Sequence, residues 1–425
     1  MSGLTIITDK MVFGGDCIAK YEGKTIFVPY ALPGERLNVE IVKEMRDYSV
    51  GRIIEILEPS PYRVEPSCPL YTKCGGCNML HISDEHQVTL RKEILRDAFA
   101  RENIDIPLEN IEAVCGKPSA YRSRFQFHNG GLMEKQTNNI IPIDNCPMAT
   151  DEINHYLKEV SFENRPEGRF QVFASSRIVS IPDGFDKIIV ADSIDSQRSM
   201  KEDTKKVRNR PQYTPNGRKL PKQKKIKQQF AGTVSNQASL CTVNILGEKI
   251  TFDVQGFFQS NLEVLEKTIP LITEGMSGKN LLDMYSGCGT FSVFLKKNFE
   301  NLCLVEHNRG AIVYAEQNLA GVPHQSYGLS GDVWVKYHAE NHIKQYGSFD
   351  GVVIDPPRSG MEKSVCQWLC SSGIPKIKSL SCDIATHARD AKFLIRSGYK
   401  LKKLYLLDFY PGTSHIESLA TFEKE

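Results

Sequence analysis

Apolar and polar positions alternate along "CIAKYEGKTIFVPYALPGERLNVEIVKEMRDYSVGRIIEILEPSP", and the alternation breaks at Glu-Gly and Pro-Gly pairs. Period two with turn residues at the breaks predicts short strands. So many short strands within residues 1–60 predict a small closed β-barrel of the OB type. The period becomes helical between Asp84 and Asn103, where Val88, Leu90, Ile94, Leu95, Ala98 and Phe99 fall on one face. From about 115 to 255 the chain reads as strand-rich and irregular. From about 256 onward apolar strands and amphipathic helices alternate, in "NLLDMYS", "FSVFLKKNF", "LCLVEHN", "GAIVYAEQNLA", "FDGVVIDPP", "IKSLSC" and "HARDAKFLIRSG". That rhythm predicts an α/β domain with an open parallel sheet wound on both faces, Rossmann-like in layout. The tail "YKLKKLYLLDFYPGTSHIESLATFEK" reads as two long strands in a hairpin, forming an antiparallel edge.

A chain of 425 residues calls for two or three domains. It contains no run of 18 apolar residues, so no membrane-spanning helix is expected. Its first residues have neither a basic start nor a long apolar centre, which points to a cytoplasmic protein, expected to be monomeric. Twelve cysteines in a reducing compartment favour metal ligation and catalysis over disulfides. The net charge is only +2, but residues 201–228 carry eleven Lys and Arg against two acids, a local +9 that leaves −7 for the remainder. This composition suits a solvated linker or an RNA-binding arm equally well.

"LLDMYSGCGTFSVFL" is a strand, a Gly-x-Gly turn and a helix. Gly287 and Gly289 let the backbone turn tightly and approach a nucleotide-like ligand. A dinucleotide fingerprint would place a third glycine at 292, where this chain has Ser292. Asp283 precedes the turn, and Glu306 follows Gly287 by nineteen residues, at the end of the next strand, where it can accept from ribose hydroxyls. Acids on both sides of the turn, without a diphosphate grip, suit S-adenosylmethionine better than NAD. Asp355, in "FDGVVIDPPRSG", ends a further strand, where open parallel sheets bind ligands, and two prolines stiffen the loop after it. Cys382, in "LSCDIATHARD", reads equally as a buried thiol or as a nucleophile held at a strand end.

In order along the chain, "DMYSGCGTFS", "DPPRSG", "SCDIATHARD" and "HIESLATFEK" closely resemble the RNA (uracil-5-)-methyltransferase family. "CPLYTKCGGC" with the later "NCPM" resembles its iron-sulfur branch, and "FVPYALPGERLNVEI" resembles its TRAM domain. The resemblance covers nearly the whole chain apart from the Lys-rich stretch. It implies Cys382 as nucleophile and Glu417 as base. It also implies that Gln259, Tyr285, Thr290, Glu306, Asp332 and Asp355 line the cofactor site. Its domains would be a TRAM barrel over 1–60, a central iron-sulfur domain over 61–82 and 113–254, and the methyltransferase domain over 83–112 and 255–425. Two positions depart from the family pattern: Asp383-Ile384 stands where Asn-Pro is usual, and Leu80 where Gln is common.

Cys68, Cys74 and Cys77 are spaced C-x5-C-x2-C, and Cys146 lies far downstream. Four thiolates suit zinc or a 4Fe-4S cluster, and the resemblance turns the choice to the cluster. A radical enzyme would need an open iron and a C-x3-C-x2-C triplet, which this chain lacks. The expected reaction is thiolate addition to C6 of a uracil, methylation at C5 and loss of the C5 proton. The expected partner is RNA, 23S ribosomal RNA ahead of transfer RNA. The rival readings are a cytosine-5 methyltransferase and a catalytically silent RNA-binding factor.

Overall fold

A computed structural model describes residues 3–180, 188–192 and 239–424; the basic stretch 201–228 lies outside the described residues. The first six strands form one sheet, ordered Leu4–Ile7, Arg36–Glu44, Tyr48–Glu58, Lys24–Val28, Cys17–Tyr21, Lys10–Met11. The two edge strands are consecutive in the chain, separated only by Thr8 and Asp9, so the sheet has to curl until its edges meet. Inside it Cys17, Ala19, Val28, Leu37 and Val39 are fully buried.

The central region holds two three-stranded antiparallel sheets. One joins Ile188–Asp192, Arg169–Ala174 and Arg124–His128, and the other joins Ile178–Ser180, Leu240–Ile245 and Glu248–Asp253. The first buries Phe125, Phe127, Phe170 and Val172 against Ile153 and Leu157 of the helix Asp151–Glu159.

The largest sheet has eight strands, ordered His324–Tyr327, Phe299–Val305, Gly278–Met284, Gly351–Ile354, Lys376–Ser381, Glu417–Lys424, Tyr399–Leu407 and Ile111–Val114. The first five are mutually parallel. Glu417–Lys424 runs antiparallel to both of its neighbours. The parallel part of the sheet therefore starts in its middle, at Gly278–Met284, and a crevice opens where the connections diverge, beyond Met284 and Ile354. Those two residues are paired in register, so the two loops that follow them leave side by side.

One expectation is corrected. The C-terminal hairpin is not the last member of the sheet, because Ile111–Val114 pairs in parallel with Leu404–Leu407 and covers that part of the strand Tyr399–Leu407. Covering the long strand removes a row of free backbone groups. The helix Asp84–Arg101 packs beside this edge. It buries the expected Leu90, Ile94, Leu95, Ala98 and Phe99, but also Gln87 and Arg91. Arg91 makes a bidentate ion pair to Asp408, at 2.7 and 3.1 Å. Phe99 meets the His387 ring of the helix Ile384–Arg396 edge to face, at 5.7 Å. No helix among the described residues is long and apolar enough to cross a membrane.

Candidate active site and cysteine cavity

Strand register brings the proposed nucleophile and base together. Ser381 pairs with Ser418 across antiparallel strands, so the next position sets Cys382 opposite Glu417. Cys382 sits in the two-residue gap between its strand and the helix Ile384–Arg396. Asp383 caps that helix: its Oδ1 accepts from the backbone N–H groups of Ala385 (3.1 Å) and Thr386 (2.9 Å). An aspartate thus performs here the capping that an asparagine could provide, and Ile384 behind it is buried. His387 Nδ1 and Ser418 Oγ are 2.7 Å apart, tying this helix to the strand that starts at Glu417.

The site is rich in carboxyls. Burial, and then the Asp355 carboxylate, push buried Glu417 up to about 8, with Arg358 opposing. Asp355 keeps part of its surface open, yet protein packs around it. Desolvation and the charges of Asp283 and Glu306 push it up to about 7. The Cys382 thiol rises to about 11 through burial and through Glu417 and Asp355, again with Arg358 opposing. Acids crowded this closely favour a cationic ligand.

The cofactor turn follows Met284. Tyr285 adopts a left-handed backbone (φ 65°), and its hydroxyl bonds to Glu362. Gly289 also has positive φ, and a Cβ there would come within 3.1 Å of the Ala315 Cβ, so the third-glycine role of close helix packing falls to this position. Gly287 N–H donates to Glu306 Oε2 (2.9 Å), which holds the two acid-bearing loops together. Ser292 donates to Asp283 Oδ2 at 2.6 Å, and burial lifts Asp283 to about 6. Thr290 opens the following helix, its hydroxyl 3.4 Å from the Cys288 sulfur. Gln259 Oε1 and Ser286 Oγ are buried without a protein partner, as polar atoms reserved for a ligand would be. The residues present therefore fit S-adenosylmethionine. Asp332 bonds to Lys336 (2.8 Å) and to the Ser364 hydroxyl (2.6 Å).

Sequence reasoning missed Tyr410, whose hydroxyl is raised to about 12 by burial and by Glu417. It also gave no role to Arg358, although "DPPRSG" contains it; its positive charge acts to lower the pKa values of Cys382, Glu417 and His415 alike.

Cys68, Cys74, Cys77 and Cys146 line one cavity of about 480 Å³, together with Arg122, Leu80 and Met148. All four are free thiols. Among the described residues, no three His, Cys, Asp or Glu side chains are drawn together as a finished metal site. The donor chemistry nonetheless suits a thiolate-bound metal centre. The Gly76 N–H points at the Cys74 sulfur (3.4 Å), and backbone N–H groups of Met148 and Ala149 serve Cys146. Leu80, the second departure from the family pattern, lies against Gly412, where an added Cβ would meet its Cδ2 at 2.6 Å.

Comparison with known proteins agrees with this layout. The family profile described as tRNA (Uracil-5-)-methyltransferase matches residues 336–425, and the TRAM domain profile matches 5–54. An RNA methyltransferase of Treponema denticola is 37% identical, covering 98% of both chains. The 23S rRNA (uracil(1939)-C(5))-methyltransferase of Vibrio parahaemolyticus is 29% identical, over 96% of this chain and 93% of its own. In fold, the tRNA (uracil-54, C5)-methyltransferase of Pyrococcus abyssi, solved with S-adenosyl-L-homocysteine, matches with a TM-score of 0.69 at 21% identity, over 98% of this chain and 99% of that one. The chain belongs to the RNA (uracil-5-)-methyltransferase family, with an N-terminal TRAM domain and the class I S-adenosylmethionine-dependent fold.

Proposed function

We propose that the protein methylates C5 of a uridine in large-subunit ribosomal RNA through a covalent adduct between Cys382 and C6. The observation that carries this reading is the register placing Cys382 opposite Glu417, with Asp355 and Arg358 beside both. The cofactor supplies a methyl group on a cationic sulfonium. Cys382 gives up its thiol proton to water, the thiolate forms the bond to C6, and the C5–C6 π pair moves towards the O4 enolate and C5, which becomes nucleophilic. Once C5 carries the methyl group, Glu417 takes the C5 proton. Those C–H electrons re-form the double bond, and the C6–S bond breaks to return the thiolate. A uridine in a stacked helix could not reach either group, so it has to be turned out of its stack. Arg358 opposes the build-up of negative charge around the thiolate.

The choice of ribosomal RNA rests on full-length similarity to relatives named as 23S rRNA enzymes. Transfer RNA is the second reading, because the matching family profile and the closely matching fold carry that substrate in their names. Mapping 5-methyluridine in ribosomal and transfer RNA, from cells with and without the gene, decides between them. We also assign a 4Fe-4S cluster to Cys68, Cys74, Cys77 and Cys146, with a structural rather than a redox role.

Cys382→Ala should abolish methylation while leaving cofactor binding within about twofold, since the thiol acts in the chemical step. Glu417→Gln should accumulate methylated RNA bound through sulfur, seen as a cofactor-dependent, slowly migrating band on a denaturing gel. Normal turnover by Cys382→Ala would end the covalent reading. For the cysteines, protein purified without oxygen should be brown with about four irons per chain, and Cys74→Ser or Cys146→Ser should bleach it. A colourless, fully active preparation with one zinc per chain would replace iron by zinc.

A further inference from the structure

The loop ending in Glu417, residues 410–416, is held from several elements at once. Tyr121 Oη donates to the Pro411 carbonyl (3.0 Å), and Arg91 to the Tyr410 carbonyl (3.3 Å). Gln87 Oε1 accepts from the Gly412 N–H (2.9 Å). The densest set of bonds comes from Asn78, the residue after Cys77. Its backbone N–H and that of Met79 donate to the Gly412 carbonyl, at 3.1 and 3.0 Å. Its Oδ1 accepts from the Ser414 N–H (2.8 Å), and its Nδ2 donates to Ser414 Oγ (3.0 Å) and to the Gly14 carbonyl (2.9 Å). One side chain thus joins the cysteine loop, a turn of the N-terminal barrel and the catalytic loop, three residues before the base.

We propose that Asn78 is a positioning residue for Glu417, and that through it the turn Val12–Gly15 of the barrel sets the rate of proton removal from C5. Gly15 supports this. Its backbone has φ +86°, and an added Cβ would lie 2.8 Å from Asn78 Nδ2 and 2.9 Å from the Ser414 Cβ. The turn therefore fits against Asn78 and Ser414 only without a side chain. A carboxylate base has to sit within hydrogen-bond reach of its proton, and small misplacements of such groups cost large factors in rate. Cys382 is fixed separately, by its own strand and the Asp383 cap, so loosening this loop should disturb proton removal and spare thiolate attack.

The inference rests on Glu417 as the base, and its test separates the two claims. In single-turnover reactions with RNA and S-adenosylmethionine, Asn78→Ala should transfer the methyl group at near the native rate. It should release product about tenfold or more slowly, leaving the same denaturation-resistant band as Glu417→Gln. Ser414→Ala and Gly15→Ala should show the same signature more weakly or comparably, which guards against one variant failing to fold. Cofactor affinity and iron content should stay native in all three. If the Glu417→Gln band forms but all folded variants release product normally, or lose methyl transfer and release equally, Asn78 only packs the loop. If Glu417→Gln itself turns over normally, the assignment of the base falls, and this inference with it.

Discussion

Asp283, Asp355 and Glu417 all titrate upward, to about 6, 7 and 8, with burial as the first cause. A carboxyl whose folded value exceeds its unfolded one binds more protons when folded. Its stabilising contribution is complete below about pH 4 and is lost as pH rises through the folded value. The ligand-free protein should therefore lose melting temperature between about pH 4 and 8, and Asp355→Asn should flatten that fall. An unchanged slope in Asp355→Asn would mean that Asp355 is ionised throughout. A bound sulfonium works in the opposite direction, stabilising the carboxylates and expelling protons. S-adenosylmethionine should therefore bind more tightly as pH rises from 6 to 8, by up to about tenfold per unit for each proton released. The uncharged thioether product should show less of this dependence. Calorimetry in two buffers of different ionisation enthalpy measures the protons directly, and equal release by both ligands would contradict the argument. Cys382 and Glu417 were legible in the sequence through the resemblance of their flanking motifs. Asn78 and Tyr410 were not, because their contacts with the loop before Glu417 and with its carboxyl arise only on folding.

At the scale of elements, the helix Ile384–Arg396 keeps its N-cap where the sequence departs from the family pattern. Asp383 makes two N-cap hydrogen bonds, so Asp383→Ala should cost about 1 kcal/mol in denaturant unfolding. Asp383→Asn should keep the cap and cost little. Should the Asn variant prove as unstable as Ala, the charge rather than the cap is what matters. The parallel strands around Met284 and Ile354 were readable from their apolar runs and glycine turn. The covering strand Ile111–Val114 was not: its four residues alternate too briefly to signal anything, and its partner lies nearly three hundred residues away. The hairpin looked like an edge because nothing local announces what covers it.

For the whole molecule, charge is the property that sequence states best. The local +9 of residues 201–228 should meet phosphates without reading bases. Deleting 203–227 should weaken RNA binding and reduce the slope of log affinity against log salt, by roughly 0.7–0.9 for each phosphate that the segment neutralises. Titration of a fluorescent RNA at several salt concentrations measures this, and an unchanged slope would leave the segment as a linker. The pattern of apolar and polar positions also foretold separate barrel and α/β regions. It could not foretell how the cysteine loop lies against both, since that depends on single residues such as Leu80, Asn78 and Gly412.

The ion pair between Arg91 and Asp408 spans 317 positions of the chain. During synthesis at about 5–20 residues per second, the helix Asp84–Arg101 waits roughly 15–60 s for its partners to emerge. For that interval Leu90, Leu95 and Phe99, all buried at the end, lack the helix Ile384–Arg396 and the strand Tyr399–Leu407 that pack on their helix. The nascent chain should therefore expose part of this helix's apolar face until those partners emerge. The strand Ile111–Val114 finds its partner in the sheet only when Tyr399–Leu407 has left the ribosome, so truncation before that strand should leave the helix Asp84–Arg101 uncovered and remove Glu417, the proposed base.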